Sequence, residues 1–185
     1  MKKKIIIICG PTAVGKTSLG IELCKELNGE IVSADSQQVY KGMDIGTAKD
    51  DLTGHEVNCH LTDVVSPEEP FDVSKFKELA DAAIEEIYSR GKFPIVVGGT
   101  GFYIKVLLEG ISEAPARDDK LRNELLDIRE KEGQKAIYKI LENEDSVMAA
   151  RLHPHDTSRV IRAIEVKRLT GKSFSEFQDD KATSH

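Results

Sequence analysis

Lys16 and Thr17 close the stretch Gly10-Pro-Thr-Ala-Val-Gly-Lys-Thr, which fits the spacing G-x-x-x-x-G-K-T. Each residue type at that spacing has a use toward phosphate. Gly10 and Gly15 let the backbone through Pro11, Thr12, Ala13 and Val14 close around an anion with its amide groups turned inward. Lys16 adds a mobile cation, and the Thr17 hydroxyl suits a magnesium ion. The apolar run before the loop and the leucine-spaced run after it predict a strand and a helix. The helix start then adds partial positive charge at the anion. Such a loop specifies a di- or triphosphate and leaves the reaction open.

A second group of chemical residues lies in "SADSQQVYKGMDIGTAK". Asp35 falls just past the predicted second strand, at the sheet edge where doubly wound folds bind ligands. An aspartate there binds magnesium, accepts a proton or caps the next helix, and the residues alone leave all three open. Ser36, Gln37 and Gln38 carry side chains of the kind that read base edges, or make an ordinary polar loop. In "VVGGTGFY", Gly98, Gly99 and Gly101 permit close approach to a ligand, and Thr100 offers a hydroxyl at the same edge. Phe102 and Tyr103 read as core rather than as a base-stacking platform. Arg159 and Arg162, three apart, share a helical face and form either a phosphate clamp or a solvated basic surface. His153 and His155 lack further ligands, so a turn around Pro154 is expected there, not a metal site.

These residues need a scaffold. Apolar β-branched runs predict strands at 5–9, 30–34, 59–64 and 94–98. Helices are expected after the glycine loop, ending at Asn28-Gly29, and from a cap at Asp72 or Ser74 to a stop at Gly91. Strands alternating with helices imply an α/β fold with a parallel sheet flanked by helices. From 116 the chain becomes highly charged and reads as short helices. Residues 151–172 form a local basic stretch in a chain whose formal net charge is −6. The expected organisation is a phosphate-loop core at 1–115, a helical insertion at 116–150, and a basic lid segment at 151–185 with a frayed tail. With 185 residues, 39% of them hydrophobic, there is room for one ordinary core and a small insertion. Cys9, Cys24 and Cys59 form no CxxC pair and read as reduced thiols, which points to the cytoplasm. No apolar stretch is long enough to span a membrane.

Taken together, "GPTAVGKT", "DSQQVYKGMDIGTAK", "VGGTGFY" and "LHPHDTSRVIRAIEV" resemble the tRNA dimethylallyltransferases, in that family's order and at close spacing from about Lys4 to Gly171. The resemblance implies transfer of a dimethylallyl group from dimethylallyl diphosphate to the exocyclic amine of the adenosine beside the anticodon, with magnesium. It implies that the loop at 10–17 holds the donor's diphosphate, although such loops are often called ATP-binding. Asp35 matches the family's general base and Thr100 the threonine that helps seat the adenine. Arg122, Arg159 and Arg162 match positions used against tRNA, as does the segment Ser36 to Gln38. The partners implied are tRNA and dimethylallyl diphosphate, with the protein expected as a monomer and no membrane involved. Family members continue past "GKSFSEF" into another core strand and further helices, so the final strand of the sheet is expected to be absent. Three alternatives remain: an adenylate isopentenyltransferase, a small-molecule phosphate-loop kinase, and an inactive diphosphate-binding fragment.

Overall fold

The computed structural model describes residues 4–47, 49, 57–111 and 114–179. It divides into two compact units, one running to Ile111 and the other following it. The first holds a sheet of four strands, β1 (Ile6–Cys9), β2 (Gly29–Ser33), β3 (Cys59–His60) and β4 (Phe93–Gly98). They lie in the order β1-β4-β2-β3, and every pairing is parallel. This is the α/β architecture expected. Helix α1 (Lys16–Leu27) covers one face, and α2 (Val73–Ser89) and α3 (Gly101–Glu109) belong to the core of the other.

Alternation along the strands explains both cores. Ile31, Ile95 and Val97 join Ile21 and Cys24 of α1, while Val32 and Val96 join Phe76, Ala80 and Ile87 of α2. Ile31, Val32, Ile95 and Val96 are all at most 2% exposed. At about 1.5–3 kcal/mol per buried aliphatic side chain, they outweigh the hydrogen bonds of the loops beyond them, worth about 1 kcal/mol each. The strand ends are therefore fixed points from which the loops hang.

Helix α2 starts where the Asp72 side chain accepts a hydrogen bond from Lys75 N–H, and Gly91 follows its end with φ 70°. Asn28, left-handed at φ 51°, ends α1. Three expectations need correction. The third strand stops after His60, because Leu61 (φ 64°) and Asp63 (φ 57°) turn the backbone into the left-handed region. Phe102 is 61% exposed; only Tyr103 is core, its ring stacked on Phe76 with centroids 4.1 Å apart. The tail forms a short helix, α8 (Phe174–Asp179), where fraying was expected.

The second unit is helical: α4 (Asp119–Glu132), α5 (Gln134–Glu144), α6 (Ser146–Arg151), α7 (Thr157–Thr170) and α8. Leu125, Leu141, Met148, Ile161 and Ile164 belong to one shared core, so the segments read as insertion and lid pack together. Buried Asp145 joins two helix starts. Its carboxylate accepts from Met148 N–H at 3.1 Å, from Ser173 Oγ at 2.7 Å and from Phe174 N–H at 3.3 Å. His153 and His155 bracket Pro154 in the turn before α7.

Glu30, 1% exposed, lies in the second strand and gathers donors from several segments. Its carboxylate meets Lys92 Nζ at 2.9 Å, His60 Nε2 at 2.7 Å, Asn58 Nδ2 at 3.1 Å and Arg90 Nη2 at 2.6 Å. Burial pushes its pKa up, but these hydrogen bonds outweigh that and hold it at about 2. The folded value is below the ordinary one, so the ion stabilises the fold above about pH 4.5. That contribution is lost as pH falls toward 2. Urea unfolding of Glu30→Gln should show less loss of stability across this window than the wild type, from a lower starting stability. An identical acid profile in the two proteins would refute this role.

Candidate active site

The loops that follow β1, β2, β3 and β4 meet at the C-terminal edge of the sheet. After β1, the backbone turns through Ala13 (φ 65°) and Gly15 (φ 85°) into α1. Gly15 precedes the helix and provides no side-chain cap, so the first N–H groups of α1 are left for another acceptor. Lys16 Nζ donates to Pro11 O at 2.6 Å, across the mouth of its own loop.

The ends of β2 and β4 are held against one another. Thr100 N–H donates to Ala34 O at 3.2 Å, and Ser36 N–H donates to Thr100 Oγ1 at 3.0 Å. A Cβ added at Gly98 would lie 2.1 Å from Ala34 O, so only glycine fits at this crossing. Asp35 is fixed from its own loop: Oδ1 accepts from Gln37 N–H at 2.9 Å and from Gln38 N–H at 3.4 Å. The capping use of the aspartate is thus realised through one oxygen, within a turn instead of a long helix.

Between these loops lies a cleft of about 310 Å³. Thr12, Ala13, Gly15, Lys16 and Thr17 line one side, and Asp35 and Gln38 come from the loop after β2. These seven expected residues are brought together, and Gly98 at the end of β4 lines the cleft with them. Gly10, Pro11, Val14, Ser36, Gln37 and Thr100 do not line it, although Ser36 and Thr100 bond one another at its border. Thr17 and Asp35 present hard oxygen donors to one cleft, a donor set suited to magnesium. Among the described residues, no group of three or more His, Cys, Asp or Glu forms a metal cluster.

The arginines belong to the second unit. The Arg159 side chain is 75% exposed, with Nε 3.4 Å from Asp156. Arg162 turns inward: Nη2 donates to Pro115 O at 2.5 Å, and Nη1 lies 3.3 Å from Glu165. Glu165 is fully buried, accepts from Asp118 N–H at 3.1 Å, and has Arg122 Nη1 at 3.8 Å. Arg122 and Arg162 therefore flank an internal carboxylate, whereas Arg159 points to solvent. The basic stretch is also less bare than its composition suggests, because Arg168 pairs with Glu144 of α5.

The family model described as IPP transferase matches residues 38–185, and one described as isopentenyl transferase matches residues 3–57. The chain belongs to the IPP transferase family. It is 49% identical over 187 residues to a tRNA dimethylallyltransferase of Geobacillus kaustophilus, covering 98% of this chain and 58% of that protein. A tRNA dimethylallyltransferase of Geobacter sulfurreducens is 48% identical over 181 residues, with 97% and 58% covered. Among solved structures, a eukaryotic dimethylallyltransferase acting on tRNA superposes with TM-score 0.84 at 37% identity, covering 99% of this chain and 46% of that one. The tRNA isopentenylpyrophosphate transferase of Bacillus halodurans gives TM-score 0.61 at 44% identity, with 92% and 57% covered. The chain spans a little over half the length of the bacterial relatives it matches.

The cleft has further lining residues to which the sequence reading gave no role toward a ligand. Thr47 and Lys49 come from the loop after β2, and Cys59 and Thr62 from β3 and the turn beyond it. Thr47 and Lys49 lie inside the quoted segment "DIGTAK", yet nothing in that string says which side chains turn toward the cleft. The cleft residues lie within a chain described from Lys4 on, and among the described residues no helix is long and apolar enough to cross a membrane.

Proposed function

We propose that the protein transfers a dimethylallyl group from dimethylallyl diphosphate to the exocyclic amine of the adenosine beside the anticodon of a tRNA. The observation that carries this reading is the convergence of Lys16, Thr17 and Asp35 on one cleft in a chain of the IPP transferase family. The loop at 10–17 holds the diphosphate as a leaving group, and no phosphoryl group moves. Amide groups at the start of α1 and the Lys16 ammonium take up the negative charge that grows as the carbon–oxygen bond breaks. Magnesium held by the Thr17 hydroxyl would supply further charge neutralisation on the same diphosphate. The amine nitrogen attacks the allylic carbon, the carbon–nitrogen bond forms, and the departing proton goes to Asp35. Oδ1 of Asp35 is engaged by backbone amides, so Oδ2 is the oxygen that accepts it.

Thr100 accepts from Ser36 through its oxygen and keeps its own hydroxyl hydrogen to donate to the adenine. The adenine leaves its loop stack to enter the cleft, as bases do when an enzyme modifies them. Arg159, extended into solvent, takes an RNA phosphate. Arg122 and Arg162 act with the N–H groups that Glu165 and Pro115 leave over. The protein works as a monomer in the cytoplasm.

The test is incubation with labelled dimethylallyl diphosphate and magnesium, with tRNA, AMP or no acceptor, and ATP as a separate donor. Label on tRNA and no phosphoryl transfer from ATP is the expected result. Label on AMP instead would point to an adenylate isopentenyltransferase, and transfer from ATP to a kinase. Diphosphate binding with no transfer to any acceptor would leave only the binding function.

A further inference from the structure

Lys49 occupies an unusual position for a lysine. Its side chain is 9% exposed, and it lines the same cleft as the loop at 10–17. Three acceptors surround its ammonium: Asp44 Oδ1 at 2.6 Å, Asp63 Oδ1 at 2.8 Å and Tyr40 O at 3.2 Å. An ammonium has three hydrogens to donate, so the set is complete. The hydrogen bonds to Asp44 and Asp63 also raise its pKa above the ordinary lysine value, so it remains charged.

The acceptors come from two segments. Tyr40 and Asp44 belong to the loop after β2, and Asp63 to the turn after β3. That turn has two non-glycine residues at positive φ, Leu61 and Asp63, and for a branched aliphatic residue like Leu61 this backbone is costly. It is kept in place from the other loop: Asp63 N–H donates to Gln38 O at 3.1 Å and Val64 N–H to Val39 O at 2.8 Å. Lys49 adds the side-chain tie. Thr47 and Thr62, one from each of the tied segments, line the cleft with it.

Charge makes the arrangement informative. Asp44 and Asp63 do not themselves line the cleft, yet both lie within hydrogen-bonding distance of Lys49 Nζ, and Lys49 does line it. Without Lys49 two carboxylates next to the lining would stand uncompensated near a bound anion. We propose that Lys49 is a positioning residue of the donor site: it staples the loop after β2 to the turn after β3 and cancels enough of their acid charge for the cleft to hold a diphosphate. The inference rests on the reading of the cleft as the diphosphate site.

Calorimetric titration of inorganic pyrophosphate with magnesium into the whole chain tests it. Lys49→Met should weaken binding by about tenfold or more, as expected when the cation that offsets two carboxylates near a bound anion is removed. Lys49→Met/Asp44→Asn/Asp63→Asn removes all three charges and should recover affinity to within about threefold of wild type. Asp44→Asn/Asp63→Asn keeps the lysine and both acceptor oxygens and should bind more tightly than wild type. This last variant decides the matter even if Lys49→Met does not fold. Wild-type affinity in a folded Lys49→Met, no recovery in the folded triple variant, or weaker binding in the double variant would each overturn the inference while leaving the diphosphate site intact. Absence of pyrophosphate binding by the wild type would overturn the reading of the cleft, and this inference with it.

Discussion

Lys16→Ala should abolish pyrophosphate binding and leave the chain folded. The two halves of that expectation come from different observations. Lys16 is half-buried, and among the described residues its ammonium meets a carbonyl of its own loop, Pro11 O, so the core loses nothing when it is removed. Loop shape does not depend on it either: the turn is set by the left-handed backbone at Ala13 and Gly15 and by the start of α1. What disappears is the mobile cation at the cleft. A charge-assisted hydrogen bond to a phosphate oxygen contributes about 1.5–3 kcal/mol, and more than one such bond is open to a lysine there. The loss then amounts to a hundredfold or more in affinity, since about 1.4 kcal/mol is tenfold. Calorimetry with pyrophosphate and magnesium reads the first half and a melting curve the second. Unchanged affinity would remove the loop at 10–17 from the donor site.

The parts of this molecule that were legible in its sequence are those encoded by short-range spacing. The glycine loop, the apolar runs of β1, β2 and β4, and the Asp72 cap of α2 each depend on neighbours a few residues away, and the structure has them where the spacing puts them. Asp35 was found for the same reason, because it directly follows a strand that is easy to read. What escaped was long-range pairing. Lys49 gains its place from Asp63, 14 residues on, and Thr100 from Ser36, 64 residues back. The pairing of Arg168 was not legible in the basic stretch because its partner, Glu144, lies on a different helix, 24 residues upstream. Helix α8 was missed because its start bonds Asp145, 28 and 29 residues earlier.

Backbone conformation was the other blind spot. "CHLTDVV" has the composition of a strand, and its first two residues make one. Leu61 then adopts a conformation that its side chain disfavours, and the run becomes a turn that sends Thr62 to the cleft and Asp63 to Lys49. Propensity rules describe what a residue prefers, so they fail where tertiary contacts hold a residue against its preference. That failure falls at the border of the candidate site, where a strained turn has a use in presenting side chains.

Asp35→Asn should lower dimethylallyl transfer to tRNA by about 100-fold or more, the range typical of lost acid–base catalysis, with donor affinity almost unchanged. The geometry makes this substitution unusually clean. Oδ1 of Asp35 accepts from the Gln37 and Gln38 amides, and the carbonyl oxygen of an asparagine accepts both in the same place. The turn is therefore retained, and with it the Ser36 amide that meets Thr100. Only the second oxygen changes: in aspartate it can take the proton released as the carbon–nitrogen bond forms, whereas the amide nitrogen that replaces it cannot. Single-turnover transfer from labelled donor, set beside calorimetric donor affinity, separates the two uses of this side chain. A drop confined to transfer identifies Asp35 as the base. A fall in donor affinity as large as the fall in transfer would instead assign it, together with Thr17, to holding magnesium against the diphosphate, and the proton acceptor would have to be sought elsewhere.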